Sequence, residues 1–81
     1  MKKNLEIIID GKSEGRLEVD EIGNEKVKVI RFEISDEIKG KLRMNILSEG
    51  TDYLDSYSHY IKTVQHGMEH YLDKKVEIIE Y

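Results

Sequence analysis

Residues 4–10 read NLEIIID, an apolar, β-branched run that predicts a first strand. GKSEG (11–15) turns the chain. RLEVDEI (16–22) alternates Leu17 and Val19 with charged residues, the pattern of a half-buried second strand. Gly23-Asn24 supplies a short turn, since both residues tolerate positive φ. EKVKVIRFEIS (25–35) alternates as Val27 and Val29, then as Ile30, Phe32 and Ile34. The phase slips by one residue at Val29–Ile30, and a β-bulge would keep both sets facing the core.

Residues 36–47 support two readings. Ser35 followed by Asp36 and Glu37 resembles a helix start. Leu42, Met44 and Ile46, however, alternate strictly with Arg43 and Asn45, and Gly40 suits a turn. The alternation favours a turn over 36–40 and a fourth strand over 41–47.

From Thr51 to Lys75 the period changes. Leu54, Tyr57, Ile61, Val64, Met68 and Leu72 recur at spacings of three and four, one face of an amphipathic helix over 52–73. Thr51 or Ser48 can cap it, with Asp52 and Asp55 near its positive end and Lys74 and Lys75 near its negative end. Gly67 is a mid-helix defect that costs about 1 kcal/mol relative to alanine; it either admits another backbone or is incidental. KVEIIEY (75–81) is the last strand. The order β-β-β-β-α-β predicts a single α+β domain over 1–81. Its antiparallel five-stranded sheet is ordered 5-1-2-3-4, and one long amphipathic helix packs on one face.

At 81 residues the chain buries a limited core, and it has no cysteine with which to reinforce one. Metal, self-association or an economical core remain. No segment approaches membrane-spanning length, and the N-terminus lacks the pattern of a signal peptide, which points to a soluble cytoplasmic protein. The net charge is −4, which argues against general nucleic-acid affinity. The charge is lopsided: residues 26–43 hold six cations against three carboxylates, a local +3 that leaves −7 for the rest of the chain.

The three histidines fall within SHYIKTVQHGMEHYLDKK (58–75). On a helical wheel His59, His66 and His70 form one stripe nearly opposite the apolar row, in line with Asp52, Asp55 and Asp73. The stripe is a solvated face, a pH-sensitive contact face, or a metal site built from His66, His70 and Asp73. The His-Glu-x-x-His pattern of a metalloprotease helix is not matched.

If Val27, Val29, Phe32, Leu42 and Met44 point inward, Lys26, Lys28, Arg31, Lys41 and Arg43 form a basic patch on the open face of the sheet. That patch suits an acidic protein or a nucleotide; with Phe32 inward, no aromatic remains there to stack on bases. The runs III (7–9) and II (78–79) cannot place every residue on one face. Ile8, Ile79 and Tyr81 therefore emerge as an apolar patch, a candidate interface. Tyr57 joins the core, while Tyr53, Tyr60 and Tyr71 flank it; Tyr53 and Tyr60 are counted with the contact residues or with the rim of the helix–sheet contact.

No nucleophile motif, phosphate loop or dinucleotide fingerprint is present, and no cofactor is implied. The expected function is binding, without enzymatic activity. The chain reads as a small acidic protein-binding module that occupies a partner's surface, of the inhibitor, antitoxin, immunity or phage-accessory kind, and as a homodimer through the open sheet face or a sheet edge. The alternatives are an oligomeric small-ligand or nucleotide binder that uses the basic face, and a metal-binding oligomer that uses the histidine stripe.

Overall fold

In the computed structural model, which describes residues 1–81, strand β1 (Lys2–Ile9) returns as β2 (Lys12–Ile22) through Asp10-Gly11. Both turn residues lie at positive φ, 51° and 80°. A two-residue turn of this hand follows the right-handed twist of the strands it joins. The turn is therefore shorter than the expected 11–15 segment, and Lys12–Gly15 belong to β2. Ile7 faces Gly15 and Ile8 faces Ser13, so Glu14 is an extra residue that absorbs the boundary shift. β3 (Lys26–Ile34) pairs with β2, with Val19 opposite Val29 and Glu18 opposite Arg31. Ile30 is the additional residue of the expected bulge, and Val27, Val29 and Phe32 are all buried.

The remaining strands complete a five-stranded antiparallel sheet in the order β4-β3-β2-β1-β5. The order is the expected one, but the fourth strand is not where alternation placed it. Residues 41–47 are no strand. Ser35 caps a one-turn helix, α1 (Asp36–Lys39), by accepting the Ile38 N–H at 3.4 Å. A loop and a 3-10 turn (Asn45–Leu47) follow. Leu42, Met44 and Ile46 still pack on the core from this loop, so the alternating apolar residues are used without a strand backbone. The strand that pairs with β3 is β4, only Asp52–Tyr53.

Helix α2 (Tyr57–Leu72) is correspondingly shorter than the 52–73 expected. Its cap is Ser56, neither Thr51 nor Ser48: the Ser56 hydroxyl accepts the His59 N–H at 3.2 Å. With Asp52 and Tyr53 drawn into the sheet, Leu54 leaves the apolar row and is 80% exposed. Asp73 closes the helix in the left-handed conformation (φ 53°). β5 (Val76–Glu80) then runs antiparallel beside β1.

Helix and loop cover one face of the sheet. Buried between them are Leu5, Ile7, Leu17, Val19, Val27, Val29, Val76, Tyr60, Val64 and Met68. Tyr60 lies at the centre, fully buried, with its hydroxyl donating to the Ile46 carbonyl at 2.8 Å. Burial pushes its phenol pKa far up. Gly67 is not incidental, and what it admits is a side chain and no backbone: a Cβ there would stand 2.5 Å from Met44 Cε. The glycine thus lets the loop lay Met44 against the helix.

Candidate functional site

Alternation along the strands leaves the second face of the sheet uncovered. It displays Asn4, Glu6 and Ile8 from β1, Arg16, Glu18 and Asp20 from β2, Lys28, Arg31 and Glu33 from β3, and Glu77 and Ile79 from β5. Cross-strand neighbours alternate in sign. Arg16 lies between Glu6 and Glu33, Arg31 opposite Glu18, and Lys28 between Asp20 and Asp52. Arg31 also reaches Glu33 on its own strand at 3.5 Å. Such pairs each contribute a fraction of a kcal/mol and offset part of the charge, while the five carboxylates displayed there outnumber the three cations and leave the face acidic.

The expected basic patch is therefore divided. Lys28 and Arg31 lie on the uncovered face among carboxylates, and Lys26 starts β3 opposite Ile22. Lys41 and Arg43 are elsewhere, because the segment that carries them is a loop and no strand. Lys39, Lys41 and Arg43 make no ion pair within this chain. Lys39 and Arg43 border a groove of about 560 Å³ floored by Phe32, Leu42, Met44 and Leu47. Its carboxylate, Glu49, accepts the Phe32 N–H at 3.2 Å.

The apolar corner lies where β1 and β5 meet. Ile79 is 45% exposed and Tyr81 63%, while Ile8 is half-buried. Ile79 has Glu6 as its neighbour on β1, and Ile8 has Glu77. The Tyr81 backbone continues the sheet, its N–H donating to the Asn4 carbonyl at 3.0 Å, and the Arg16 guanidinium lies 5.8 Å from its ring. Tyr53 and Tyr60 belong to a different part of the molecule. Tyr60 is a core residue with no exposed surface, which corrects its placement among contact residues, and half-buried Tyr53 packs on it with ring centroids 5.3 Å apart.

The histidine row is exposed, as the wheel requires. His66 and His70 stand one turn apart on α2, and His70 packs edge-on against Tyr71. Asp73 has left helical geometry, and no three His, Asp or Glu side chains converge on one point. His59 is engaged locally, its Nδ1 against Asp55 Oδ2. The Ser56 N–H, donated to the Asp55 carboxylate at 2.7 Å, and then His59 hold that carboxyl below the ordinary aspartate range.

Two features carried no sequence signal. The outer edge of β3 is closed from Val27 to the Phe32 N–H: Glu49 takes the Phe32 N–H, Gly50 and Thr51 bond Val29, and β4 pairs beyond them. The outer edge of β5 is closed only at its start, where the Glu69 carboxylate accepts the Val76 N–H at 3.1 Å. In each device one carboxylate, Glu49 or Glu69, takes a strand N–H outside the regular ladder, which the strand and helix periods do not encode.

No helix is long and apolar enough to cross a membrane. No family model matches the chain, and neither a curated protein nor a solved structure matches it at a significant level.

Proposed function

We propose that the chain is a small acidic cytoplasmic binding module that acts by occupying the surface of a partner protein, as inhibitors, antitoxins, immunity proteins and phage-type accessory proteins do. One observation carries this reading: a whole sheet face is uncovered, and its β1–β5 corner presents exposed Ile79 and Tyr81 beside half-buried Ile8. Tyrosine offers a large contact area with few rotatable bonds, which suits docking. The charged checkerboard beside it would fix register and reject mismatched partners, with little net attraction. The absence of cysteine suits a reducing compartment. The test is affinity capture from the native host with wild type and with Ile79→Lys. Ile79 is already half in solvent, so the variant should fold. Loss of a specific partner in the variant supports the reading; equal capture by both proteins removes it.

A second reading has its own observation. The groove beside β3 joins an apolar floor to two cations without ion pairs, Lys39 and Arg43, a setting for a small anionic ligand such as a nucleotide. Titration with AMP, followed by backbone amide shifts at Phe32, Met44 and Ser48, should saturate in the wild type and weaken at least about tenfold in Arg43→Glu. Absence of saturation would discard the groove.

A further inference from the structure

The two edges of the sheet are treated oppositely. Along β3 the outward Val29 N–H and C=O and the Phe32 N–H are bonded, and β4 covers the strand start. Along β5 the pattern of pairing with β1 defines what is free. Tyr81 donates to Asn4 and Lys75 accepts from Asp10, so odd-numbered residues of β5 face β1. Even-numbered residues point their backbone outward. Of their three N–H groups Glu69 takes that of Val76, which leaves Ile78 and Glu80.

We infer that the free edge of β5 pairs antiparallel with β5 of a second copy of this chain, about a two-fold axis at Ile79, to make one continuous ten-stranded sheet. The inference rests on reading the β1–β5 corner as a contact surface and now names an occupant for its edge. A continuous antiparallel sheet requires residues of equal parity to face each other across the axis. Centring on Ile79 sets Ile78 opposite Glu80 of the second copy, and the reverse. Four N–H···O=C bonds then form from the four free donors, while Glu69 keeps the Val76 N–H in both copies. Centring on Ile78 instead would bring Val76 into the ladder against the Glu69 cap.

The same register sets Ile79 directly against Ile79 in a non-hydrogen-bonded pair, where side chains approach most closely. On the helix side Ile78, half-buried in the monomer, gains cover. The carboxylates at the seam already have cations, Glu77 with Lys75 at 3.9 Å and Glu80 with Lys3 at 3.3 Å, which limits repulsion. Because β3 is capped from Val27 to the Phe32 N–H, β5 cannot add head-to-tail along that stretch. The capped stretch of β3 thus favours a closed two-fold dimer over a filament.

The chain has no cysteine, so single cysteines report cleanly. Cα atoms of a non-hydrogen-bonded pair stand about 4.5 Å apart, within disulfide reach. Under Cu(II)-phenanthroline oxidation, Ile79→Cys should form a covalent dimer at least about tenfold faster than Glu77→Cys or Tyr81→Cys alone, while an equimolar mixture of the last two should cross-link to each other. Wild type should dimerise in sedimentation equilibrium between low micromolar and near-millimolar protein. A monomer throughout, a dimer without Ile79 cross-linking, or equal rates at all three positions overturns the pairing. None of these outcomes touches capture of a different protein by the open face, which is tested separately.

Discussion

Gly15 and Gly67 both leave room for a neighbour, but the neighbours differ in stiffness. A Cβ on Gly15 would stand 2.6 Å from the Glu33 carbonyl oxygen, part of the sheet backbone. Gly15→Ala should therefore lower stability by about 2 kcal/mol, since strand and partner must separate. At Gly67 the obstacle is the end of Met44, a flexible thioether that can rotate away. Alanine also gains about 1 kcal/mol of helix propensity, so Gly67→Ala should raise stability by about 0.5 kcal/mol; urea denaturation of the two variants checks the opposite signs. Tyr60 carries a pH dependence as well. Its neutral form is favoured in the fold, so its contribution is complete below the unfolded tyrosine pKa of about 10 and is lost as pH rises above that value. Tyr60→Phe should cost about 1–2 kcal/mol at neutral pH, because the Ile46 carbonyl loses its donor. It should also flatten the fall in Tm above about pH 10 without abolishing it, since burial and Glu80 raise Tyr57 too.

Among the elements, the loop from Gly40 to Thr51 does the work expected of a strand. It supplies Leu42, Met44, Ile46 and Leu47 to the core and bonds the edge of β3 through Glu49, Gly50 and Thr51. The Glu49 carboxylate is the one side chain in that set, which makes it separable by mutation. Glu49→Ala leaves the Phe32 N–H without its partner and should cost about 1 kcal/mol. Amide exchange should accelerate at Phe32 and over residues 48–51, while β1 and β2 remain protected. Unchanged protection at Phe32 would mean that water replaces the carboxylate fully. The loop's cations, Lys41 and Arg43, make no ion pair and take no part in this stabilising role.

For the whole molecule, the distribution of support predicts a hierarchy of opening. β1 and β2 are paired on both sides, and their inward residues Leu5, Ile7, Leu17 and Val19 are almost fully buried. Their amides should exchange only through global unfolding. Residues 39–46 have short turns and half-buried apolar groups and should exchange by local opening at much lower cost. Native-state hydrogen exchange in dilute denaturant would show the two classes converging only near the global transition. Early convergence would mean that the loop unfolds together with the sheet. The uneven charge has no comparable effect on the fold, because carboxylates and cations alternate across the uncovered face.

The strands β1, β2, β3 and β5, the bulge at Ile30, the amphipathic helix and the exposed histidine row follow from the sequence alone. Each rests on a local period, two in a sheet and 3.6 in a helix, which β-branched runs and apolar spacing encode directly. The segment from Ser35 to Ser56 was decided by the tertiary structure. The alternation of Leu42, Met44 and Ile46 states which side chains are apolar; it does not state which backbone pairs with β3. That single edge was taken by Glu49–Tyr53 through contacts with residues some twenty positions earlier. Once Tyr53 was held in the sheet, the helix could begin only at Ser56, Leu54 was left in solvent, and Tyr60 rotated into the core where it meets the Ile46 carbonyl. The basic group divided for the same reason: a strand would have set Lys41 and Arg43 beside Lys28 and Arg31, whereas a loop carries them round the edge to the groove beside Phe32.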